Sequence, residues 1–217
     1  MDLIIQGIEI ETSDLRQLAK LSGASKIERI NGNAFRLIDA SQRDRISSLC
    51  LEAELDFAFV DEPKSLNQFR LIAMDMDSTL VGIETIDEIA DIHGMRKQVA
   101  EITEKAMYGE INFSEGLIQR VALLKGLEHS VLQRVYDERL IFNPGAEKML
   151  KKLKVAGIKT MLISGGFTFF TDKLKDRLGL DYTFANTLET VNGRLTGRLL
   201  GCLLYTSDAA YEEDSVD

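Results

Sequence analysis

Apolar and polar residues follow two rhythms along the chain. Over residues 1–61 the runs are short and mixed. "LIIQGIEI" (3–10) alternates well enough for a strand, and "TSDLRQLAKLSG" (12–23) has helical spacing, Ser and Asp as cap candidates and a closing glycine. "SKIERI" and "AFRLIDA" flank "NGN", a hairpin signal. "SQRDRISSLCLEAEL" (41–55) predicts a second amphipathic helix, and "DFAFV" (56–60) a last strand. The order β-α-β-β-α-β predicts a ferredoxin-like unit. Such units sense ligands, dimerise or merely support, so a homodimer is a candidate assembly, and fold alone assigns no role.

Beyond a polar, proline-containing linker at about 62–69, the pattern changes. "FRLIAMD" (69–75) is apolar on both faces, as a strand inside a parallel sheet would be. A helical stretch then fills about 85–139, interrupting the alternation as a cap inserted over an active site would. Alternation resumes with a helix at 143–157, which has Pro near its start and Gly at its end. The strand "IKTMLISGG", the helix "FTFFTDKLKDRLG", a strand "YTFAN" and a hairpin "LETV-NG-RLTGRL" follow. Together these predict an α/β domain over 70–201, a doubly wound parallel sheet whose ligand lies beyond the carboxyl ends of the strands.

Composition narrows the function. With 45% apolar and 28% charged residues and only two prolines, the chain reads as soluble and globular. A net charge of −9 disfavours nucleic acid as the main partner. Five of the acids crowd into 202–217, leaving 26 basic against 30 acidic residues over 1–201. Two cysteines, Cys50 and Cys202, make no C-x-x-C pair; Cys50 reads as a small core residue on a helix. No run is long enough to span a membrane, and "MDLIIQGIEIE" lacks the features of a signal peptide, so the cytoplasm is the expected location.

The chemistry concentrates at two strand ends. "LIAMDMDSTLVGIE" (71–84) delivers Asp75 and Asp77, whose side chains are expected to point the same way because an extended strand repeats with period two. Hard carboxylate oxygens suit Mg²⁺, although a D-x-D is also an ordinary strand-end turn. A calcium loop would need Gly and Glu where Leu80 and Ile86 stand. "LISGG" places Ser164, Gly165 and Gly166 at another strand end before a helix, where backbone amides favour phosphate. The two motifs lie 87 positions apart with a helical insertion between them, a more specific signal than either alone. Walker-type and G-x-G-x-x-G patterns are absent.

"DMDSTLVGIETIDEIAD", "AMYGEINFSEGLIQRVALLKGL" and "LISGGFTFF" resemble the phosphoserine phosphatases of the haloacid-dehalogenase superfamily. The likeness runs along residues 1–201, including the small N-terminal domain that some bacterial members carry. It implies Mg²⁺-dependent hydrolysis of O-phospho-L-serine, the last step of serine biosynthesis. By the resemblance, Asp75 is the nucleophile that forms an aspartyl-phosphate, and Asp77 the acid and then base. Mg²⁺ would bind the Asp75 carboxylate and the Asp77 main-chain carbonyl, and Ser164 and Gly165 would hold phosphoryl oxygens. Glu84 would meet the substrate amino group and Arg120 its carboxylate, which a guanidinium fork suits. Met107 and Phe113 would exclude water, though unaided both read as core. His93 and His129 match no role and read as solvated helix ends.

Two parts of that pattern are missing from the sequence: a lysine beside the nucleophile and a G-D-G-x-N-D strand end. No lysine follows Lys175, and the chain closes on "CLLYTSDAAYEEDSVD". That segment reads as a non-native tail on a truncated chain, which predicts little or no activity and an exposed apolar edge at "LIAM". Two rivals remain: a related phosphatase or phosphotransferase acting on another small phosphomonoester, and an inert amino-acid-sensing protein.

Overall fold

The computed structural model describes residues 1–61 and 64–200, which form two compact units, Met1–Ser65 and Leu66 onward. The expectations for 202–217, the foreign tail and Cys202 among them, lie outside the described residues.

In the first unit, β1 (Asp2–Gln6), α1 (Thr12–Ser22), β2 (Lys26–Asn31), β3 (Ala34–Ile38), α2 (Ile46–Glu52) and β4 (Asp56–Val60) build one sheet of order β2-β3-β1-β4. All its pairings are antiparallel. Leu3, Ile5 and Leu37 from the sheet meet Leu15 and Leu18 of α1 and Ile46 and Cys50 of α2 in a single core. Burial raises the Cys50 thiol pKa.

Three features of this unit depart from what the sequence predicts. β1 stops at Gln6 because the Asn33 side-chain amide holds the carbonyls of Gly7 and Ile8, turning the chain out of the ladder. α1 has Glu11 at its N-cap with no side-chain cap bond, so Ser13 and Asp14 fall inside the helix. α2 is seven residues long, not fifteen. The amides of Ser41 and Gln42 donate to the Ser22 carbonyl, which commits them to the end of α1.

The second unit opens with a short 3₁₀ turn, Leu66–Gln68, and β5 (Leu71–Met74). Four helices follow: α3 (Thr85–Ile92), α4 (Arg96–Met107), α5 (Phe113–Leu123) and α6 (Ser130–Glu138). Next come α7 (Ala146–Val155), β6 (Lys159–Phe167), α8 (Thr168–Leu178), β7 (Tyr182–Val191) and β8 (Arg194–Leu200). The sheet order is β5-β6-β7-β8, with β5, β6 and β7 parallel and β8 antiparallel. The sheet is therefore mixed. A doubly wound sheet reverses its strand order, and among the described residues this one does not.

"YTFAN" and "LETV" are one continuous strand rather than two. Its first half runs parallel to β6 and its second half pairs with β8. The turn to β8 is Asn192–Gly193, both with positive φ (51° and 75°), the twist a two-residue hairpin requires.

Met76, Leu80, Ile89, Leu124, Leu132, Leu162, Phe167 and Phe170 belong to one apolar cluster, so helices and sheet share a core. β5 is an edge among the described residues, with Leu71 43% exposed: it is the apolar edge expected at "LIAM" and not the buried inner strand its composition alone suggested. In-register partners share a face, and Leu71, Ala73, Ile163, Tyr182 and Phe184 make one side of β5-β6-β7 an open, largely apolar surface, with Lys159 beside Leu71 at its border.

The helical stretch is tied at both ends. It is entered beside a bridge between Val81 and Phe142, supported by the Gly82 amide donating to the Ile141 carbonyl at 2.9 Å. Farther along, residues 126–129 extend the ladder beyond β8. The Gly126 amide donates to Leu195 O, Leu195 N to Leu127 O and His129 N to Gly193 O, each at 2.8 Å. Gly197 (φ 79°) lets α5 pack close, since a Cβ there would lie 2.9 Å from Lys125 Cβ.

Candidate active site

β5 ends at Met74, so the two aspartates lie beyond the strand, and a two-residue strand period is not what aligns them. Asp75 is still extended, and its carboxylate accepts the Met76 N–H at 2.7 Å. The chain then folds into a tight turn, Met76–Leu80, pinned by buried Met76 and Leu80 and by the Val81 amide donating to Met76 O. This turn, not the pleat, brings the Asp77 carboxylate back to the same cavity as Asp75.

Asp77 accepts the Thr85 N–H at 2.9 Å on one oxygen and the Thr85 hydroxyl at 3.3 Å on the other. Burial pushes its pKa up to about 6, reinforced by the negative charges of Glu84 and Asp75 and opposed by the two Thr85 donors. Ser78 sits in the left-handed region (φ 52°) and donates its hydroxyl to Glu84 Oε1 at 2.7 Å. Glu84 stands at the N-cap position of α3 and makes no side-chain cap bond to it.

The other wall is the end of β6. Ser164 is buried and its oxygen accepts the Gly166 N–H at 2.9 Å, which leaves its own proton to donate elsewhere. Gly166 has no room for a side chain: a Cβ would lie 2.7 Å from Asp77 Oδ2, 2.9 Å from Met76 Cε and 3.0 Å from Ser164 Oγ. A Cβ on Gly165 would meet only the Phe113 ring, at 3.1 Å. Asn186, fully buried on β7, donates to the Gly165 carbonyl at 2.7 Å and fixes the strand end from behind.

α5 closes the cavity. Its start is secured by a capping box between Asn112 and Glu115. Phe113 and Leu117 face the cavity with Arg120, whose Nε donates to Gly116 O while its guanidinium lines the pocket. Burial raises the Asp87 pKa, with Glu84 adding to the rise and Arg120 opposing it. The cavity encloses about 250 Å³. Three carboxylates line it, Asp75, Asp77 and Glu84, against one cationic side chain among the described residues, Arg120.

Of the eight residues singled out from sequence, the structure brings seven together: Asp75, Asp77, Glu84, Phe113, Arg120, Ser164 and Gly165. Met107 stands apart, 83% exposed at the end of α4. His93 is exposed as expected. His129 is half-buried and packs edge-on to Phe169 with 5.4 Å between ring centres, so it is not simply a solvated helix end. Sequence reasoning gave no role to Thr85, although it directly follows Glu84, and none to Gly166 as a residue apart from the motif. Nothing local distinguished Asn186.

No helix among the described residues is long and apolar enough to cross a membrane. Residues 3–46 match a family described as a domain of unknown function (DUF4072). A curated phosphoserine phosphatase of Polaromonas sp. is 56% identical over 136 residues, covering 62% of this chain and 58% of that protein. The chain spans somewhat over half the length of the curated relatives it matches. A crystal structure of a probable phosphoserine phosphatase from Vibrio cholerae superposes with TM-score 0.71 and 33% identity, covering 97% of this chain and 69% of that one. A substrate-bound phosphoserine phosphatase superposes with TM-score 0.59 and 38% identity, covering 72% and 75%. The family described as haloacid dehalogenase-like hydrolase matches residues 72–215. That match contains both aspartates, the helical stretch and the Ser-Gly-Gly strand end, and by it the chain belongs to the haloacid dehalogenase-like hydrolases.

Proposed function

We propose that the second unit is built to hydrolyse O-phospho-L-serine to L-serine and phosphate. The observation that carries this is the convergence, on one cavity, of two strand-end aspartates, a Ser-Gly-Gly backbone and the pair Glu84 and Arg120. The relatives named phosphoserine phosphatase support the same substrate.

Asp75 attacks phosphorus as a nucleophile. A bond forms between its carboxylate oxygen and phosphorus while the bond to the serine oxygen breaks. Asp77 gives its proton to that leaving oxygen, a role its raised pKa suits. It then takes a proton from the water that attacks the aspartyl-phosphate and releases phosphate. The Ser164 hydroxyl donates to a phosphoryl oxygen, and Gly165 and Gly166 let that oxygen approach the backbone. Arg120 grips the substrate carboxylate, Glu84 pairs with its ammonium group, and Phe113 excludes water. Met107 receives no role in this arrangement, being outside the cavity.

The donor set fits Mg²⁺. Hard oxygens in negative excess line the cavity, with few protein carboxylates, Asp75, Asp77 and Glu84, among them. Such a small set suits an ion that keeps waters and takes substrate phosphate as ligand. The Asp75 carboxylate and the Asp77 carbonyl would hold the ion. When bound, it withdraws charge from the phosphoryl oxygens.

We read α3 to α6, over about 85–139, as a cap over this site. The first unit reads as ferredoxin-like, since its strand order interleaves two β-α-β halves. With Arg120 the one cation in the lining among the described residues, slow turnover is expected of the 217-residue chain.

The test is phosphate release from O-phospho-L-serine with Mg²⁺, using this chain beside a version lengthened to its relatives' span. Turnover that Asp75→Asn abolishes supports the assignment. Equal turnover of phosphoethanolamine and phosphoglycolate, each lacking one of the groups that Glu84 and Arg120 would bind, refutes the substrate.

A further inference from the structure

We propose that Thr85 is the positioning residue for Asp77, holding its carboxyl in the orientation needed to protonate the leaving oxygen. The inference rests on the reaction proposed above and assigns Thr85 a part in it.

Three observations carry it. Thr85 is 1% exposed, and both its N–H and its hydroxyl are directed at Asp77, one to each carboxylate oxygen (2.9 and 3.3 Å). The oxygen that accepts the hydroxyl, Oδ2, also lies close to Gly166 at the end of β6, where a Cβ would stand 2.7 Å from it. The group is thus clamped between a helix start and a strand end. A side chain on a turn otherwise samples several staggered rotamers, and two donors on one residue select among them.

The clamp is also placed to couple two tasks. Thr85 is the first residue of α3 and Glu84 is its N-cap. The peptide that fixes Asp77 is therefore the one that carries the proposed ammonium ligand. Any displacement of α3 moves the acid and the substrate anchor together.

Thr85→Val keeps the shape and the amide but removes the hydroxyl, and Thr85→Ser restores it. In the metal-free full chain, three-bond couplings of the Asp77 side chain should report one rotamer for the parent and for Thr85→Ser. Thr85→Val should show averaging between rotamers. General acid catalysis contributes roughly 10²–10⁴-fold. Partial misplacement in Thr85→Val should then cost about tenfold in kcat on O-phospho-L-serine. Turnover of p-nitrophenyl phosphate, whose leaving group needs no proton, should stay within about twofold. Thermal melting of both variants verifies folding.

An unchanged Asp77 rotamer in Thr85→Val overturns the proposal, and so does an equal loss on both substrates. If Asp77→Asn itself fails to distinguish the two substrates, the acid role of Asp77 falls. The rotamer result then still decides whether Thr85 positions it, and does so even if turnover is too slow to measure.

Discussion

Ser78, held at a positive φ of 52°, donates its hydroxyl to Glu84 at 2.7 Å. A serine in the left-handed region is strained by about 1–2 kcal/mol, and glycine would occupy that backbone without strain. Glycine also costs roughly 0.5–1 kcal/mol in chain entropy. Ser78→Gly should therefore leave the melting temperature unchanged or slightly raised. It should also free Glu84 and raise KM for O-phospho-L-serine several-fold. A lower melting temperature would show that the hydroxyl serves the turn rather than the anchor.

Asp77 provides a pH signature. Its pKa in the fold is about 6 against an ordinary 3.8, so between those values the native state binds more protons than the unfolded state. The group's contribution is most favourable below about 4 and is lost as pH rises through 6. One pKa unit corresponds to about 1.4 kcal/mol, so the two-unit displacement, discounted for partial exposure, amounts to roughly 2 kcal/mol. Melting curves in EDTA from pH 4 to 7 should show Asp77→Asn gaining on the parent as pH rises. Parallel curves would exclude the shift.

The two glycines of the second motif should respond differently to a methyl group. Gly166→Ala drives Cβ against Asp77, Met76 and Ser164 at once, and overpacking of this kind costs about 1–3 kcal/mol. Gly165→Ala meets only an aromatic ring that is free to pivot. We expect Gly166→Ala to melt several degrees lower and to lose phosphate release, with Gly165→Ala close to the parent in melting temperature but weaker in phosphate release. Calorimetry of the pair checks the order.

The open side of the second sheet should be adhesive. Ile163 and Phe184 are in register, and Phe184 is 46% exposed. Contiguous apolar surface of this kind drives self-association. Ile163→Thr combined with Phe184→Ser should reduce association in sedimentation velocity and lower the fluorescence of a bound apolar dye. The melting temperature should hardly change, because neither side chain is in the core.

Much of this architecture was legible because local chemistry and global packing agree. The Asn-Gly turn at 192–193 and the glycine closing α1 each specify their element on their own. Several of the misreadings share one cause, a distant partner overruling a local signal. The strand read as ending at Asn186 runs on through Thr187 to Val191, and Asn186 is buried with its amide donating to the Gly165 carbonyl. Ser41 and Gln42 looked helical, yet their amides serve Ser22. Thr85 looked like an ordinary helix start, and only the turn that returns Asp77 reveals what it holds.

The ladder that continues from β6 through β7 and β8 into residues 126–129 has a geometric consequence for selectivity. Ser164 stands on the first of these strands, and Arg120 on the helix that leads into the last. On the proposed reading these are the two jaws of a caliper, and its frame is backbone hydrogen bonding rather than loops. Adjacent strands keep a spacing of about 4.8 Å, so the opening between the jaws is set by the sheet. A ligand one methylene longer than O-phospho-L-serine would have to strain the frame to seat both ends.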